Sequence, residues 1–163
     1  MKNLTINEAI DFDLPTPFEG RHLIGGTWVE SAETFERRSP SHGAVVSVSA
    51  KGDEAVTERA INAARTALDA GVWSRISGME RAAVLLKVAD LIEANVDRIA
   101  VQETLESGKP ISQSRGEVGG AADLWRYAAS LARTTHGDSH NTLGEDMLGV
   151  VLKEPIGVVS IIT

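Results

Sequence analysis

The hydrophobic pattern is most continuous at the carboxyl end of the chain. After the Pro155-Ile156-Gly157 turn, the six residues 158–163 are apolar except for Ser160 and Thr163. Valine, isoleucine and threonine favour strands because branching at Cβ suits a pleated, packed surface. The run does not alternate with polar residues, so it predicts a strand covered on both faces, as in a parallel sheet flanked by helices. No second strand follows it in the sequence, and we therefore expect a main sheet that begins here without its next strand.

Short strands joined by tight turns are predicted nearer the amino end. Residues 21–24 and 27–30 flank Gly25-Gly26, and paired glycines between two such runs are a strong hairpin signal. Residues 34–38 and 45–49 are predicted to form a further pair. The Ser-Pro-Ser-His-Gly segment between them has turn chemistry throughout.

Two amphipathic helices are predicted in the middle of the chain. Asp53 is the predicted N-cap of the first, because its carboxylate accepts from backbone N–H groups that lack a helical partner, and Gly71 ends this helix. The second begins at Ser77-Gly78-Met79-Glu80, which has the spacing of a capping box. The apolar positions at helical spacing are Val56, Ala60, Ala63, Ala64 and Ala67 in the first helix and Leu85, Val88, Ala89 and Ile92 in the second.

Two more helices are predicted before the chain becomes polar. Asp97 is expected to cap the third, and Gly108-Lys109-Pro110 ends it. The fourth is expected to begin near Ser112, with a second capping-box candidate in Ser114-Arg115-Gly116-Glu117. The predicted inward positions are Ile99, Ala100 and Thr104 in the third helix and Val118, Ala121, Ala122, Trp125, Ala129 and Ala132 in the fourth. Alanine faces bury little area, at about 25 cal/mol per Å² of apolar surface, so these helices require a large partner surface.

Composition restricts the class of function. With 163 residues and 42% hydrophobic residues, the chain suits one domain with a core. A net charge of −7 argues against a nucleic-acid partner. The chain has no cysteine, which excludes disulfides, thiolate metal sites and a cysteine nucleophile within it. No apolar stretch reaches the roughly 18 residues that span a bilayer, and the first residues lack the apolar core of a signal peptide. We therefore expect a cytoplasmic protein without a membrane partner.

Two glycine-containing segments resemble phosphate-binding motifs only in part. Gly108-Lys109-Pro110 has the glycine and lysine of a P-loop, but Thr104 and Pro110 stand where that motif requires a glycine and a serine or threonine. It is therefore interpreted as a helix stop. Gly116, Gly119 and Gly120 have the wrong spacing for a dinucleotide fingerprint and are predicted to let two helices approach closely.

The histidines do not form a recognisable metal motif. His136 and His140 are four residues apart, which on a helix would direct two ligands the same way. The intervening Gly-Asp-Ser favours a loop, and no third ligand has the spacing of a zinc site. We interpret both as surface histidines.

Six motifs, in order, resemble the aldehyde dehydrogenase superfamily. The resemblance runs from about His22 to Thr163, and its closing run resembles the segment that leads into the family's Pro-Trp-Asn-Phe motif. Each motif is weak alone, but their common order and spacing make the similarity strong. The motifs are His22–Val29, Ser39–Gly43, Glu103–Pro110, Trp125–Ala129, His136-Gly137 and Glu154–Thr163.

The resemblance implies an α/β fold, the amino-terminal part of a Rossmann-like NAD(P)-binding domain. It would contain small β-hairpins, about four helices, an oligomerisation-arm strand and the first core strand. Residues 1–20 would be an extended arm or short helix, 21–137 the start of the cofactor-binding domain, 138–154 the arm segment and 155–163 the first strand of the nucleotide-binding sheet. Within the arm segment, residues 147–152 are apolar enough to predict a strand. The family implies a homodimer or homotetramer.

The resemblance also implies a reaction. Members of the family oxidise an aldehyde to a carboxylic acid with NAD or NADP: a cysteine thiolate attacks the carbonyl, hydride leaves to the nicotinamide, and a glutamate-activated water releases the acid. The family's cysteine, glutamate and oxyanion-binding asparagine lie beyond the position of Thr163. No catalytic residue is therefore assigned in this chain, which is expected to be inactive alone.

Three residues match positions near family ligands. Ile162 and Thr163 match the end of the strand beside NAD(P), where parallel sheets bind ligands. Glu106 matches a position whose backbone often contacts a monovalent cation. A second carbonyl would come from the region of Arg37, but a guanidinium there departs from the pattern and would repel a cation. The alternative for Glu106 is a carboxylate at a helix end.

Two further alternatives stay open. Trp125 would either reach the family's substrate entrance or fill the core as part of an alanine stripe. The chain itself would be either part of an aldehyde dehydrogenase or a non-catalytic interaction or regulatory module derived from the same fold.

Overall fold

The structure is a computed structural model that describes residues 16–142 and 144–162. Within these residues, small strands precede four helices, and a short strand pair follows them. The strands are β1 (Phe18–Gly20), β2 (His22–Ile24), β3 (Thr27–Val29), β4 (Thr34–Arg38), β5 (Val45–Ala50), β6 (Ser139–His140) and β7 (Gly149–Val150). The helices are α1 (Glu54–Ala70), α2 (Gly78–Ala94), α3 (Val96–Ser107) and α4 (Ile111–Thr134).

The two strand pairs predicted near the amino end are confirmed. β2 and β3 form an antiparallel hairpin around Gly25-Gly26, both of which have positive φ. β4 pairs with β5 in antiparallel register, with an irregularity between Arg37 and Arg38. β1 adds to the other side of β5 in parallel, giving the order β1-β5-β4. Residues 18–20 were expected to belong to an arm or short helix, and this strand was not predicted because three residues carry too short a pattern. The rest of the arm, residues 1–15, lies outside the described residues.

The predicted ends of the first two helices are confirmed. Asp53 Oδ1 accepts from the Val56 N–H at 2.8 Å, and Gly71 ends α1 in the left-handed region with φ 73°. Ser77 and Glu80 form the complete capping box of α2. The Ser77 hydroxyl donates to the Glu80 carboxylate, and so does the Ser77 backbone N–H. These two hydrogen bonds, the first having the larger effect, lower the pKa of the Glu80 carboxyl.

The starts of the other two helices differ from the predictions. Asn95, not Asp97, is at the N-cap position of α3, since the chain passes almost directly from α2 into α3. Asp97 lies in the first turn and its carboxylate accepts from Arg115 at 2.7 Å. The predicted capping box at Ser114 is wrong because α4 already begins at Ile111, after Pro110. Ile99, predicted inward, is 37% exposed, whereas Gly108 ends α3 as predicted with φ 77°.

The core lies mainly between α2 and α4, which pack along most of their lengths. Four of its buried side chains are alanines: Ala82 and Ala89 on α2, Ala122 and Ala129 on α4. Small side chains allow the two helix backbones to approach closely. At one edge of this interface, Arg126 of α4 donates to Asp90 and Glu93 of α2.

Two predicted packing faces are not covered by the described residues. No residue of α1 is buried, although its alanine face was expected to pack inward. A Cβ added to Gly116, Gly119 or Gly120 would meet no atom within 4 Å, so no described residue makes the predicted close helix approach at these glycines. Sequence spacing alone does not tell which side of α4 a neighbouring helix takes.

One buried hydrogen bond joins α3 to α4. Ser114 Oγ, fully buried, lies 2.8 Å from Thr104 Oγ. We expect Ser114→Ala to destabilise the chain by about 1–2 kcal/mol, since it leaves the part-buried Thr104 hydroxyl without this partner. Chemical denaturation would measure the loss, and Ser112→Ala on the exposed surface of the same helix is the control. Equal stability of the two variants would contradict the prediction.

The end of the chain corrects the most prominent strand prediction. β6 and β7 pair antiparallel, which confirms a strand within residues 147–152, although it spans only Gly149–Val150. Residues 155–162 form no strand, and Thr163 lies outside the described residues. A strand exists only when its backbone groups pair with another strand, and the part of the chain that is described offers none to this run.

Candidate functional site

The predicted cation position, Glu106, lies in the last turn of α3, close to the central strand β5. Gln102 Nε2 donates to Glu106 Oε1 at 2.6 Å and lies 3.3 Å from the Val46 carbonyl oxygen. Gln102 therefore links the helix to the backbone of β5 and holds the Glu106 side chain. This role could not be predicted from the sequence, because glutamine in a helix has no distinctive spacing.

The turn after α3 is fixed by a lysine between two carboxylates. Lys109 Nζ lies 2.7 Å from Glu103 Oε1 and 2.6 Å from Glu117 Oε2. Both hydrogen bonds raise the pKa of the Lys109 ammonium, and the one to Glu103 has the larger effect. Glu117 accepts from Lys109 and from Gln113. These hydrogen bonds lower the pKa of the Glu117 carboxyl, and the one from Lys109 has the larger effect. Lys109 thus joins α3 to α4, in agreement with the interpretation of its segment as a structural helix stop.

A groove of about 290 Å³ runs beside Glu106. Its lining residues are Phe18, Arg98, Ile99, Gln102, Glu103 and Glu106. Two carboxylates face this space, but Glu103 is already paired with Lys109 and Glu106 with Gln102. Within the described residues, no group of three or more His, Cys, Asp or Glu side chains is arranged to hold a metal ion. The backbone contact of a cation at Glu106 stays a prediction, and Arg37 lies on the neighbouring strand β4, opposite Ser47.

The histidines at the start of the β6–β7 pair are exposed. His136 Nδ1 lies 2.9 Å from the Thr134 carbonyl oxygen, a local contact after the end of α4, and His140 is in β6. This geometry suits the interpretation of both as surface histidines.

The residues predicted to contact the cofactor lie at the end of the unpaired apolar run. The Ile162 side chain is 94% exposed, and Thr163 lies outside the described residues. The described residues do not enclose Ile162. Further polypeptide would therefore have to form the other sides of a cofactor site at this residue. The contact of both residues with NAD(P) stays a prediction.

The same run lies against α1. A groove of about 370 Å³ separates Ala64, Ala67 and Leu68 of α1 and the following Trp73 from the apolar segment. On the segment side, its lining includes Pro155, Gly157, Val158 and Val159. The alanine face of α1 and the closing run thus line the same groove.

Trp125 lies on the accessible side of α4. The residue is 39% exposed, so most of its surface is covered and part of it is accessible. Both alternatives for Trp125, the core and the substrate entrance, stay predictions. No helix among the described residues has the length and apolarity required to cross a membrane.

Comparison with known proteins defines first the class and then the family. The α/β arrangement, with four helices and small strands, matches proteins whose cofactor domain is Rossmann-like. The family model described as "Aldehyde dehydrogenase family" matches residues 28–163. The chain therefore belongs to the aldehyde dehydrogenase family.

Similar curated proteins are about three times longer than this chain. Aldehyde dehydrogenase family 2 member C4 of Arabidopsis thaliana is 36% identical over 162 residues, which cover 98% of this chain and 32% of that protein. NADP/NAD-dependent aldehyde dehydrogenase PuuC of Escherichia coli is 37% identical over 155 residues, or 93% of this chain and 31% of that protein. The chain spans about a third of the length of the relatives it matches.

Solved structures give the same result. The NAD-dependent aldehyde dehydrogenase from Sinorhizobium meliloti is 45% identical, with a TM-score of 0.81 over 84% of this chain and 28% of that one. A betaine aldehyde dehydrogenase from Staphylococcus aureus, crystallised with NAD⁺, is 31% identical, with a TM-score of 0.80 over 83% of this chain and 28% of that one. The motif resemblance seen in the sequence is confirmed.

Proposed function

We propose that these residues form the amino-terminal part of the cofactor-binding domain of an NAD(P)-dependent aldehyde dehydrogenase, and that the 163-residue chain alone is inactive. The observation that carries the proposal is the family match over residues 28–163, which covers only about a third of each relative. The chain contains no cysteine. It therefore cannot supply the thiolate that attacks an aldehyde carbonyl in this family.

The exposed surfaces support the proposal that these residues are part of a larger domain. The alanine face of α1, the open glycines of α4 and the apolar run 155–162 are all left uncovered by the described residues. Large uncovered apolar surface in a folded domain indicates that other polypeptide packs on it. The proposed parent would oxidise an aldehyde to a carboxylic acid as a cytoplasmic homodimer or homotetramer, with NAD or NADP as hydride acceptor.

Two assays test the proposal. The purified 163-residue chain is expected to show no aldehyde-dependent reduction of NAD or NADP above a heat-denatured control. In a chimera, residues 28–163 replace the matching segment of the Sinorhizobium meliloti enzyme, with which the chain shares 45% identity. We expect the chimera to keep NAD-dependent aldehyde oxidation, because the catalytic groups would come from the host and this chain would supply the packing surface.

Two results would contradict the proposal. One is turnover by the isolated chain, measured as NADH formation. The other is a chimera that folds and assembles like its host but oxidises no aldehyde; this second result favours the alternative, a non-catalytic interaction or regulatory module. Circular dichroism and size-exclusion chromatography of the chimera separate loss of activity from loss of folding.

A further inference from the structure

We propose that His22 makes the contact between the β2–β3 hairpin and α1 sensitive to acid: the neutral imidazole keeps the hairpin in place, and protonation of the ring releases it. The inference goes beyond the proposed function, because it concerns a conformational change and not the dehydrogenase reaction. It starts from one nitrogen atom. His22 Nε2 is buried and has no hydrogen-bond partner among the described residues.

The hairpin lies along the first turns of α1. A Cβ added to Gly52, which precedes the N-cap of α1, would lie 3.5 Å from Cε1 and 3.9 Å from Nε2 of His22. The same Cβ would lie 3.7 Å from Cγ1 of Val56. At the tip of the hairpin, a Cβ added to Gly25 would lie 3.9 Å from Cβ of Ala63. The imidazole thus contacts the start of α1, and the glycine turn lies beside a later turn of the same helix.

His22 stands on the inner side of the hairpin. Along β2, His22 and Ile24 are half-buried, whereas Leu23 between them is 59% exposed. His22 pairs with Val29 of β3, which is also half-buried. Successive residues of a strand point to opposite faces, so these three half-buried residues share the covered face. His22 is the one titratable side chain in the two strands.

Protonation changes what Nε2 requires from its surroundings. In a neutral imidazole one nitrogen carries the proton and the other is an acceptor, so Nε2 can remain a bare acceptor. A protonated ring carries N–H groups on both nitrogens and a positive charge. A buried donor without an acceptor, and above all a buried charge, costs free energy that the released hairpin avoids in water. The start of α1 adds to this cost, because the amino end of a helix repels a cation.

The neighbouring charged groups do not supply the missing acceptor. Asp53 accepts from the Val56 N–H at 2.8 Å, and Lys51 is paired with Glu33 at 2.9 Å. Among the described residues, no hydrogen bond or ion pair joins the His22 side chain to a charged group. The charged groups at the ends of the elements packed around His22 are all exposed, so water weakens their effect on a buried nitrogen. They are Asp53 and Glu54 at the start of α1, Lys51 before it, Glu30 after β3 and Arg21 before β2.

The burial of Nε2 does not depend on how the chain continues. The atom is already covered, so polypeptide that packs on the outside of the hairpin does not reach it. An acceptor from elsewhere would contact Nε2 only after the hairpin had moved. The same response to acid is therefore expected in a longer chain.

The size of the effect follows from proton linkage. The pKa of an exposed histidine is about 6.5, so a released hairpin takes up a proton below this pH. One pH unit lower, protonation favours the released hairpin over the unprotonated, docked one by roughly tenfold. We therefore expect the released fraction to rise roughly tenfold between about pH 7.5 and about pH 5.5.

Hydrogen exchange of the full 163-residue chain tests the proposal, with rates corrected for the intrinsic effect of pH on amide exchange. In the wild type, protection of peptides that cover residues 22–29 is expected to fall roughly tenfold from about pH 7.5 to about pH 5.5, while α2 and α4 keep theirs. His22→Phe is expected to remove this fall, because phenylalanine keeps an aromatic ring that takes up no proton. His140→Gln is the matched control and should respond like the wild type, since His140 is an exposed histidine in β6.

Three results would overturn the proposal. The first is protection of the β2–β3 amides that does not change with pH in the wild type. The second is an equal fall in His22→Phe. If circular dichroism shows that His22→Phe does not fold, His22→Gln replaces it as the neutral variant, and an equal fall there is the third. None of these results depends on dehydrogenase activity, which the chimera tests separately.

Discussion

Gly78→Ala is expected to destabilise the chain by about 2 kcal/mol, because overpacking in a tight helix contact costs about 1–3 kcal/mol. Gly78 is the first residue of α2, and a Cβ there would lie 2.3 Å from the Ala132 carbonyl oxygen of α4. The atom in the way belongs to the backbone, so a side-chain rotation cannot relieve the clash. α2 and α4 would have to separate at the end where the α2 capping box forms.

Thermal and chemical denaturation would measure this effect. For a chain of this size, 2 kcal/mol corresponds to a fall in Tm of roughly 4–8 °C. Gly120→Ala is the matched control, since both substitutions add one methyl group to a glycine of a helix. A Cβ at Gly120 meets no atom within 4 Å, so alanine there is expected to stabilise the chain by about 0.5–1 kcal/mol through helix propensity. A gain in stability in both variants would show that the α2–α4 contact at Gly78 is looser than described.

The features that could be predicted from the sequence depend on short-range chemistry. Helix starts and ends are set by groups within a few residues of each other. Two helices begin at the predicted caps, Asp53 and the Ser77–Glu80 pair, and two end at the predicted glycines, Gly71 and Gly108. The β2–β3 hairpin is equally local, because its two glycines determine the turn. The family could also be predicted from the sequence. Each of the six short motifs is weak alone, but their common order along the chain identifies the family.

The features that could not be predicted depend on which surfaces meet. Asp97 has the right residue type for an N-cap, but α3 follows α2 so closely that Asn95 takes the position. Gly116, Gly119 and Gly120 have the spacing for close helix packing, but a Cβ at any of them would meet no described atom within 4 Å. The apolar run 155–162 has the composition of a core strand, and without a neighbouring strand it stays unpaired. Pattern tells which face is apolar, but not what covers it.

The candidate site around Glu106 also combines a feature that could be predicted from the sequence with contacts that could not. The position of Glu106 just before a helix stop is readable from the sequence, whereas its contact with Gln102, and the link from Gln102 to Val46, depends on how α3 lies on β5. The prediction of an inactive chain rests on sequence alone, because the absence of cysteine does not depend on packing.

Gly137→Ala is expected to open the β6–β7 hairpin while leaving the four helices intact. A Cβ at Gly137 would lie 1.7 Å from the Val151 carbonyl oxygen, which no rotamer change can relieve. The adjacent hydrogen bond, from the Val151 N–H to the Asp138 carbonyl oxygen at 2.8 Å, would be lost with the strand pair. With an overpacking cost of about 1–3 kcal/mol, protection of the Val151 amide against hydrogen exchange should fall by roughly 10- to 100-fold.

Hydrogen exchange followed by mass spectrometry, with peptides covering residues 138–152 and the helices, would measure this change. Gly52→Ala is the control, because a Cβ there meets its nearest atom at 3.5 Å, an ordinary contact. Its exchange is expected to match the wild type throughout. Faster exchange in α2 or α4 of Gly137→Ala would contradict a local effect, and unchanged exchange at Val151 would contradict the close backbone approach. Because residues 138–154 are proposed to form an oligomerisation arm, the same substitution in the chimera should also weaken subunit association.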